Sequence, residues 1–252
     1  MKKRLTGFAS FLAVGAIFFA CAPSAHASLS LRLANGAFTV TIPDNGCDSV
    51  HVTYCDTDLA SDEVQFTSTV GSNKNALLIG QYQITADVAT VGSAPPILDL
   101  SINQVGTSNS PTALTVTTSA NGYGPPAAGG FNLNIGGTLP AGSSLSTSMF
   151  GGTSNTLFDM SNQLGSTLSF SNPANNSTPG FSGSTQGLIH PSPPGTPVPY
   201  GLTLQTVFTG KGRTTFDAGI DPLPVPEPAV VTLLGGVLLV TAGAIRRRAR
   251  QS

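Results

Sequence analysis

In the stretch LSLRLANGAFTVTI, Leu29 to Ile42, apolar residues fall on every second position on both sides of Asn35-Gly36. A period of two puts successive side chains on opposite faces of an extended strand, and Asn-Gly is the dipeptide that most favours a two-residue hairpin turn. With that pair as the loop, Leu33 faces Phe38, Leu31 faces Val40 and Leu29 faces Ile42. Arg32 then meets Thr39, and Ser30 meets Thr41, on the opposite face. The pattern predicts a hairpin with one face in a core and the other in solvent, because a slip by one residue would turn every apolar side chain outward.

The same alternation recurs at Tyr82, Ile84, Ala86 and Val88, at Leu98, Leu100 and Ile102, at Phe131, Leu133 and Ile135, and from Tyr200 through Leu202, Leu204 and Thr206 to Phe208. No stretch between residues 28 and 224 has a helical period. Gly and Pro clusters at 122–130, 136–137, 151–152 and 190–199 punctuate the runs as connections between strands do. The expected architecture is an all-β antiparallel sandwich of about nine or ten strands in two packed sheets. Residues 141–187, rich in Ser, Asn and Gly, are expected to hold long loops or irregular strands.

Both ends of the chain differ from this middle. Residues 1–27 open with Lys2, Lys3 and Arg4, continue as LTGFASFLAVGAIFFA and close on Ala25-His26-Ala27, a small-x-small cleavage pattern before Ser28. That is the form of a secretory signal helix, and Phe18 and Phe19 make a poor setting for lipidation of Cys21. At the other end, Val225-Pro226-Glu227-Pro228 precedes an uncharged run from Ala229 to Ile245, and Arg246, Arg247, Arg248 and Arg250 follow. Seventeen uncharged residues at about 1.5 Å each just span a thin hydrocarbon core, and the arginines are expected to hold the C-terminal end in the cytoplasm. Pro226 and Pro228 keep Glu227 extended, as a linear recognition peptide requires.

The order of Pro-Glu-Pro, apolar helix and arginine cluster at the C-terminus, together with a signal peptide, resembles the PEP-CTERM sorting proteins. The resemblance covers residues 225–252 and implies an address, not an activity. It implies an exosortase that reads the motif in the inner membrane of a Gram-negative bacterium making exopolysaccharide. The expected course is export, an interval anchored in the inner membrane, then the cell surface or the extracellular space.

Between the two signals, four Lys and Arg stand against eleven Asp and Glu, a net charge of about −7 with His neutral. Scattered cations on an acidic domain exclude a nucleic acid partner, which needs them clustered. Charged residues make up 9% of the whole chain against about 25% in typical domains, so the surface must be built from Ser, Thr, Asn, Gln and Gly.

Two cysteines follow the signal, Cys47 and Cys55, and an exported pair so close is expected to be bridged. Eight extended steps span about 26 Å, whereas bridged Cα atoms lie within about 7 Å, so the segment must fold back on itself. A metal site using Cys47, His51 and Cys55 matches no zinc spacing. Asp44, Asp48, Asp56, Asp58, Asp62 and Glu63 surround the pair, offering either a solvated acidic face or oxygen ligands for calcium, the one cofactor the sequence suggests.

Catalysis has little to draw on. His51 and His190 are the histidines beyond the signal, there is no H-E-x-x-H, and Gly183-Ser184-Thr185-Gln186-Gly187 has threonine where a nucleophile elbow needs serine. Paired carboxylates would suffice for a glycosidase, but the chain has no tryptophan for stacking sugars and only Tyr54, Tyr82, Tyr123 and Tyr200 to substitute. Two readings result: a non-catalytic surface or matrix protein of structural or adhesive type, or a carbohydrate-binding or carbohydrate-cleaving module acting on exopolysaccharide. Convergence of residues in a cleft distinguishes them.

Overall fold

The computed structural model describes residues 28–60, 62–67, 78–91, 97–106, 112–123, 130–173, 177–189 and 199–223. The expected signal segment with Ala25 and Ala27, the sorting motif Val225 to Pro228, the apolar helix 229–245 and Arg246 to Arg250 lie outside them. Twelve strands follow in order: β1 (Ser28–Asn35), β2 (Phe38–Pro43), β3 (Glu63–Thr67), β4 (Tyr82–Val91), β5 (Ile97–Gly106), β6 (Leu114–Tyr123), β7 (Gly130–Thr138), β8 (Ser143–Gly152), β9 (Gln163–Asn172), β10 (Gly180–Leu188), β11 (Tyr200–Thr209) and β12 (Gly212–Pro222). They form two six-stranded sheets, one ordered β2-β1-β6-β11-β8-β9 and the other β10-β7-β12-β5-β4-β3. Every pairing is antiparallel.

The alternating residues face the shared core. Tyr82, Ile84, Ala86 and Val88 on β4, Leu98, Leu100 and Ile102 on β5, and Leu202, Leu204 and Phe208 on β11 are all buried. The polar neighbours on β4 and β5 face outward, whereas Thr203 on β11 is buried with its hydroxyl 2.9 Å from that of Ser119, and one face of each sheet stays dry while its ladder hydrogen bonds remain satisfied.

The first hairpin keeps its apolar face but not its expected pairs. Leu33 lies opposite Val40, Leu31 opposite Ile42, Arg32 opposite Thr41 and Asn35 opposite Phe38, a slip of two residues from the arithmetic built on Asn35-Gly36. The loop is Gly36-Ala37, with φ of +62° at Gly36. Glycine first with positive φ is the signature of a type II′ turn. Asn35 is drawn into the strand because its side chain is needed elsewhere. Its Nδ2 donates to Thr112 O and Oγ1 and to Ala113 O, and its Oδ1 accepts from Gln81 N. A slip of two preserves the period, so the core is unchanged.

The segment expected to be irregular, 141–187, holds β8, β9 and most of β10. Its inward positions on β8 are Ser143, Leu145, Thr147, Met149 and Gly151, so polar and small side chains interrupt the apolar signal. Thr147 is buried with its hydroxyl 3.1 Å from that of Thr206 on β11, which makes it an acceptable core residue.

Both flanks where the sheets end are closed. At one, β9 and β10 cross so tightly that the backbones of Leu164-Gly165 and Gln186-Gly187 touch, Ser166 N donates to Thr185 Oγ1, and the rings of Phe170 and Phe181 lie 4.6 Å apart. At the other, β2 and β3 are spanned by the loop that carries the two cysteines. Tyr54 from that loop packs 5.8 Å from Phe38 on β2 and 5.9 Å from Phe66 on β3, and its hydroxyl donates to Leu78 O. One ring joins the edges of both sheets.

Candidate functional site

The acidic loop shows how its residue types are used. Cys47 and Cys55 are bridged and sit opposite one another in a short antiparallel bridge, flanked by Asp48 N donating to Tyr54 O and Asp56 N donating to Gly46 O. The expected disulfide is formed, and it leaves no thiolate beside His51 for the alternative metal set of Cys47, His51 and Cys55. Among the described residues no three His, Cys, Asp or Glu side chains converge as metal ligands.

Four of the six loop carboxylates, Asp44, Asp48, Asp56 and Asp58, accept hydrogen bonds from backbone amides. Asp48 accepts from Thr41 N, Val50 N and His51 N, and its Oδ1 lies 3.1 Å from His51 Nδ1. Asp56 accepts from Asn45 N, Asp58 N and Gln65 N, Asp58 from Ala60 N, and Asp44 from Asp62 N. Thr41 and Gln65 lie on the outermost strands β2 and β3, so Asp48 and Asp56 satisfy amides that an open sheet edge would offer to another chain. Glu63, on β3, is held above the usual carboxylate range by partial burial first and then by Asp87, Asp58 and Asp56.

Asp48 makes this arrangement testable. Burial alone would raise its pKa, but the amides of Thr41, His51 and Val50 and the His51 ring outweigh it and hold the carboxyl down at about 2. A carboxylate lowered on folding contributes stability above its unfolded value near 4, and that contribution is lost as pH falls through 2. Asp48→Asn should therefore cost about 1 to 2 kcal/mol at neutral pH and the difference should vanish near pH 2. Denaturant midpoints across that range check it, and a pH-independent difference would contradict it.

The outer face of the second sheet carries a groove of about 600 Å³ over β5, β12, β7 and β10. Register places its residues in rows across the strands. Asp99 lies opposite Gly219, Gly219 opposite Asn134 and Asn134 opposite Ser184. In the next row Ser101 lies opposite Asp217, Asp217 opposite Gly136 and Gly136 opposite Ser182. Asp221 closes one end and accepts from Asn134 Nδ2 at 3.3 Å. Diagonal neighbours in such a sheet are about 7 to 8 Å apart, so Asp99 stands between Asp217 and Asp221. Partial burial holds Asp99 above the usual carboxylate range, Asp217, Asp221 and Asp87 push it further, and the hydrogen bond from Leu100 N opposes them.

Two glycines shape the floor. A Cβ on Gly136 would meet only Phe181 O, at 3.6 Å, and one on Gly219 would meet Asp99 Oδ1 at 3.4 Å, both ordinary contacts. Neither has positive φ. Glycine weakens the interior of a strand and often marks a place where a ligand approaches closely. Here neither backbone angle nor crowding demands it, and its effect is to leave the groove empty.

None of these groove residues was singled out from the sequence as a ligand-binding set. Their outward positions are legible in DAGID and LDLSIN, but Asp99 and Asp221 are separated by more than a hundred residues and only the β10-β7-β12-β5 order brings them together. Tyr54, Tyr82, Tyr123 and Tyr200, expected to replace tryptophan as stacking platforms, are all buried. Three of them serve the core, with Tyr123 and Tyr200 5.4 Å apart and Tyr82 5.8 Å from Phe208. His190 lies outside the described residues.

No family model matches the chain, and no curated protein matches it. Among solved structures, the enzymatically active domain of tailspike protein 4 of bacteriophage CBA120 is similar over 62% of this chain and 21% of its own, at 9% identity and a TM-score of 0.31. TmCBM61 in complex with beta-1,4-galactotriose is similar over 63% of this chain and 99% of its own, at 7% identity and a TM-score of 0.31. The adhesin domain of Epf from Streptococcus pyogenes is similar over 79% of this chain and 60% of its own, at 9% identity and a TM-score of 0.33. Likenesses of that order carry no argument about what this groove binds.

Proposed function

We propose that the chain is an exported, non-catalytic module of structural or adhesive type, delivered to the cell surface or extracellular matrix through its PEP motif by an exosortase after an interval in the inner membrane. The observation that carries this reading is the Cys47–Cys55 bridge in a sandwich closed on both flanks. Disulfides persist in oxidising compartments, and this one holds the loop that covers two sheet edges against unwanted pairing.

The address is tested at Glu227. An elbow held by two prolines would tolerate Glu227→Gln, whereas a peptide-reading enzyme loses a charge-assisted hydrogen bond worth about 1.5 to 3 kcal/mol, a tenfold or greater loss of recognition. Glu227→Gln is expected to leave full-length, tail-bearing protein in the inner membrane, and deletion of residues 246–250 to disturb orientation instead. Immunoblotting of membrane and released fractions measures both. Release of the Glu227→Gln protein at the parental rate, with its tail removed, would return the stretch to an ordinary anchor.

A further inference from the structure

We infer that the groove over β5, β12, β7 and β10 binds a segment of a neutral glycan chain, with Asp99, Asp217 and Asp221 accepting from sugar hydroxyls and Asn134, Ser182 and Ser184 completing the polar contacts. The volume, about 600 Å³, lies in the range of small-molecule sites and far exceeds what an ion needs. The carboxylates are also spread rather than gathered. Asp217 and Asp221 are four residues apart on one strand, about 13 Å, and Asp99 is diagonal to each.

The lining sorts ligands by chemistry. It contains no Lys, Arg, His or aromatic ring, so an acidic polysaccharide is repelled and no base or ring is stacked. A cationic peptide asks only for acceptors. Each hydroxyl of a polyol both donates and accepts, and the groove presents carboxylates beside an amide and two hydroxyls that do both. The glycine floor is the feature that separates a built site from a solvated acidic face. Valine at Gly136 or Gly219 would suit a strand better and would meet no backbone clash at its Cβ, yet it would fill the space.

This assignment goes beyond the structural reading and does not depend on how the chain is sorted, so a normal result with Glu227→Gln leaves it standing. The test is affinity electrophoresis of the full chain, purified in mild detergent, through gels containing a soluble glucan, galactan or mannan, with alginate and poly-lysine as counter-probes. At least one neutral polysaccharide should retard the protein. Gly136→Val and Gly219→Val should weaken that retardation tenfold or more while the thermal midpoint stays level or rises. Asp99→Asn should weaken it too, yet raise the midpoint at neutral pH, because a carboxyl raised on folding costs stability once pH exceeds its folded value. Retardation by none of the three neutral polysaccharides, retardation by alginate or poly-lysine alone, or undiminished binding by the valine variants would each overturn the inference.

Discussion

Replacing Cys47 and Cys55 together by serine is expected to lower stability by about 2 to 3 kcal/mol, the loop-entropy value for so short a closure. For a domain of this size that is a fall of about 5 to 10 °C in the thermal midpoint. The loss should also be visible locally. Asp48, which caps Thr41 on β2, and Asp56, which caps Gln65 on β3, sit directly beside the bridge, as does Tyr54, which joins Phe38 to Phe66. Once the loop loosens, both edges regain unpaired amides and the variant should scatter light at concentrations where the parent stays clear. Hydrogen exchange should rise first at Thr41 and Gln65 and later in β6 and β11. An unchanged midpoint, with exchange rising uniformly across both sheets, would mean that the bridge is incidental to the closure.

The elements legible in the sequence are those whose inward residues are mostly apolar. On β4, β5, β7 and β11 the period of two is carried by residues such as Ile84, Leu100, Leu133 and Leu204, and all of these are buried. On β6 and β8 the inward row includes Thr118 and Thr147, and hydroxyl groups in a core blur the contrast on which such a reading depends. The turn was misplaced for a different reason. Asn35-Gly36 is the stronger local signal, but a partnership of Asn35 with Thr112 and Gln81, far away in sequence, took precedence over it. Acid clustering marked a real feature of the loop at residues 44–63, but not the use of Asp48 and Asp56 as edge caps. The groove was the least legible part, since a site made of one or two outward residues from each of four strands leaves no local motif.

Gly187→Ala is expected to be among the most damaging single changes in the domain, although it adds one methyl group. A Cβ there would lie 2.5 Å from Gly165 N, 2.6 Å from Leu164 C and 2.7 Å from Leu164 Cα, and all three are backbone atoms that cannot rotate away. Gly165 offers no relief, because its φ is +71° and its own missing Cβ would stand 2.6 Å from Gln186 O. Relief therefore requires β9 and β10 to separate, which would pull Phe170 from Phe181 and break the hydrogen bond from Ser166 N to Thr185 Oγ1. Overpacking of this kind costs about 1 to 3 kcal/mol, and the absence of any movable side chain places this site at about 3. The contrast with Gly136 is what makes the expectation informative. Gly136 lies opposite Ser182 on the outer face of β7, its Cβ has room, and valine there should be tolerated. Chemical denaturation of the two variants measures the difference directly. A Gly187→Ala midpoint equal to the parent's would mean that β9 and β10 are not in backbone contact and that this flank of the sandwich is open.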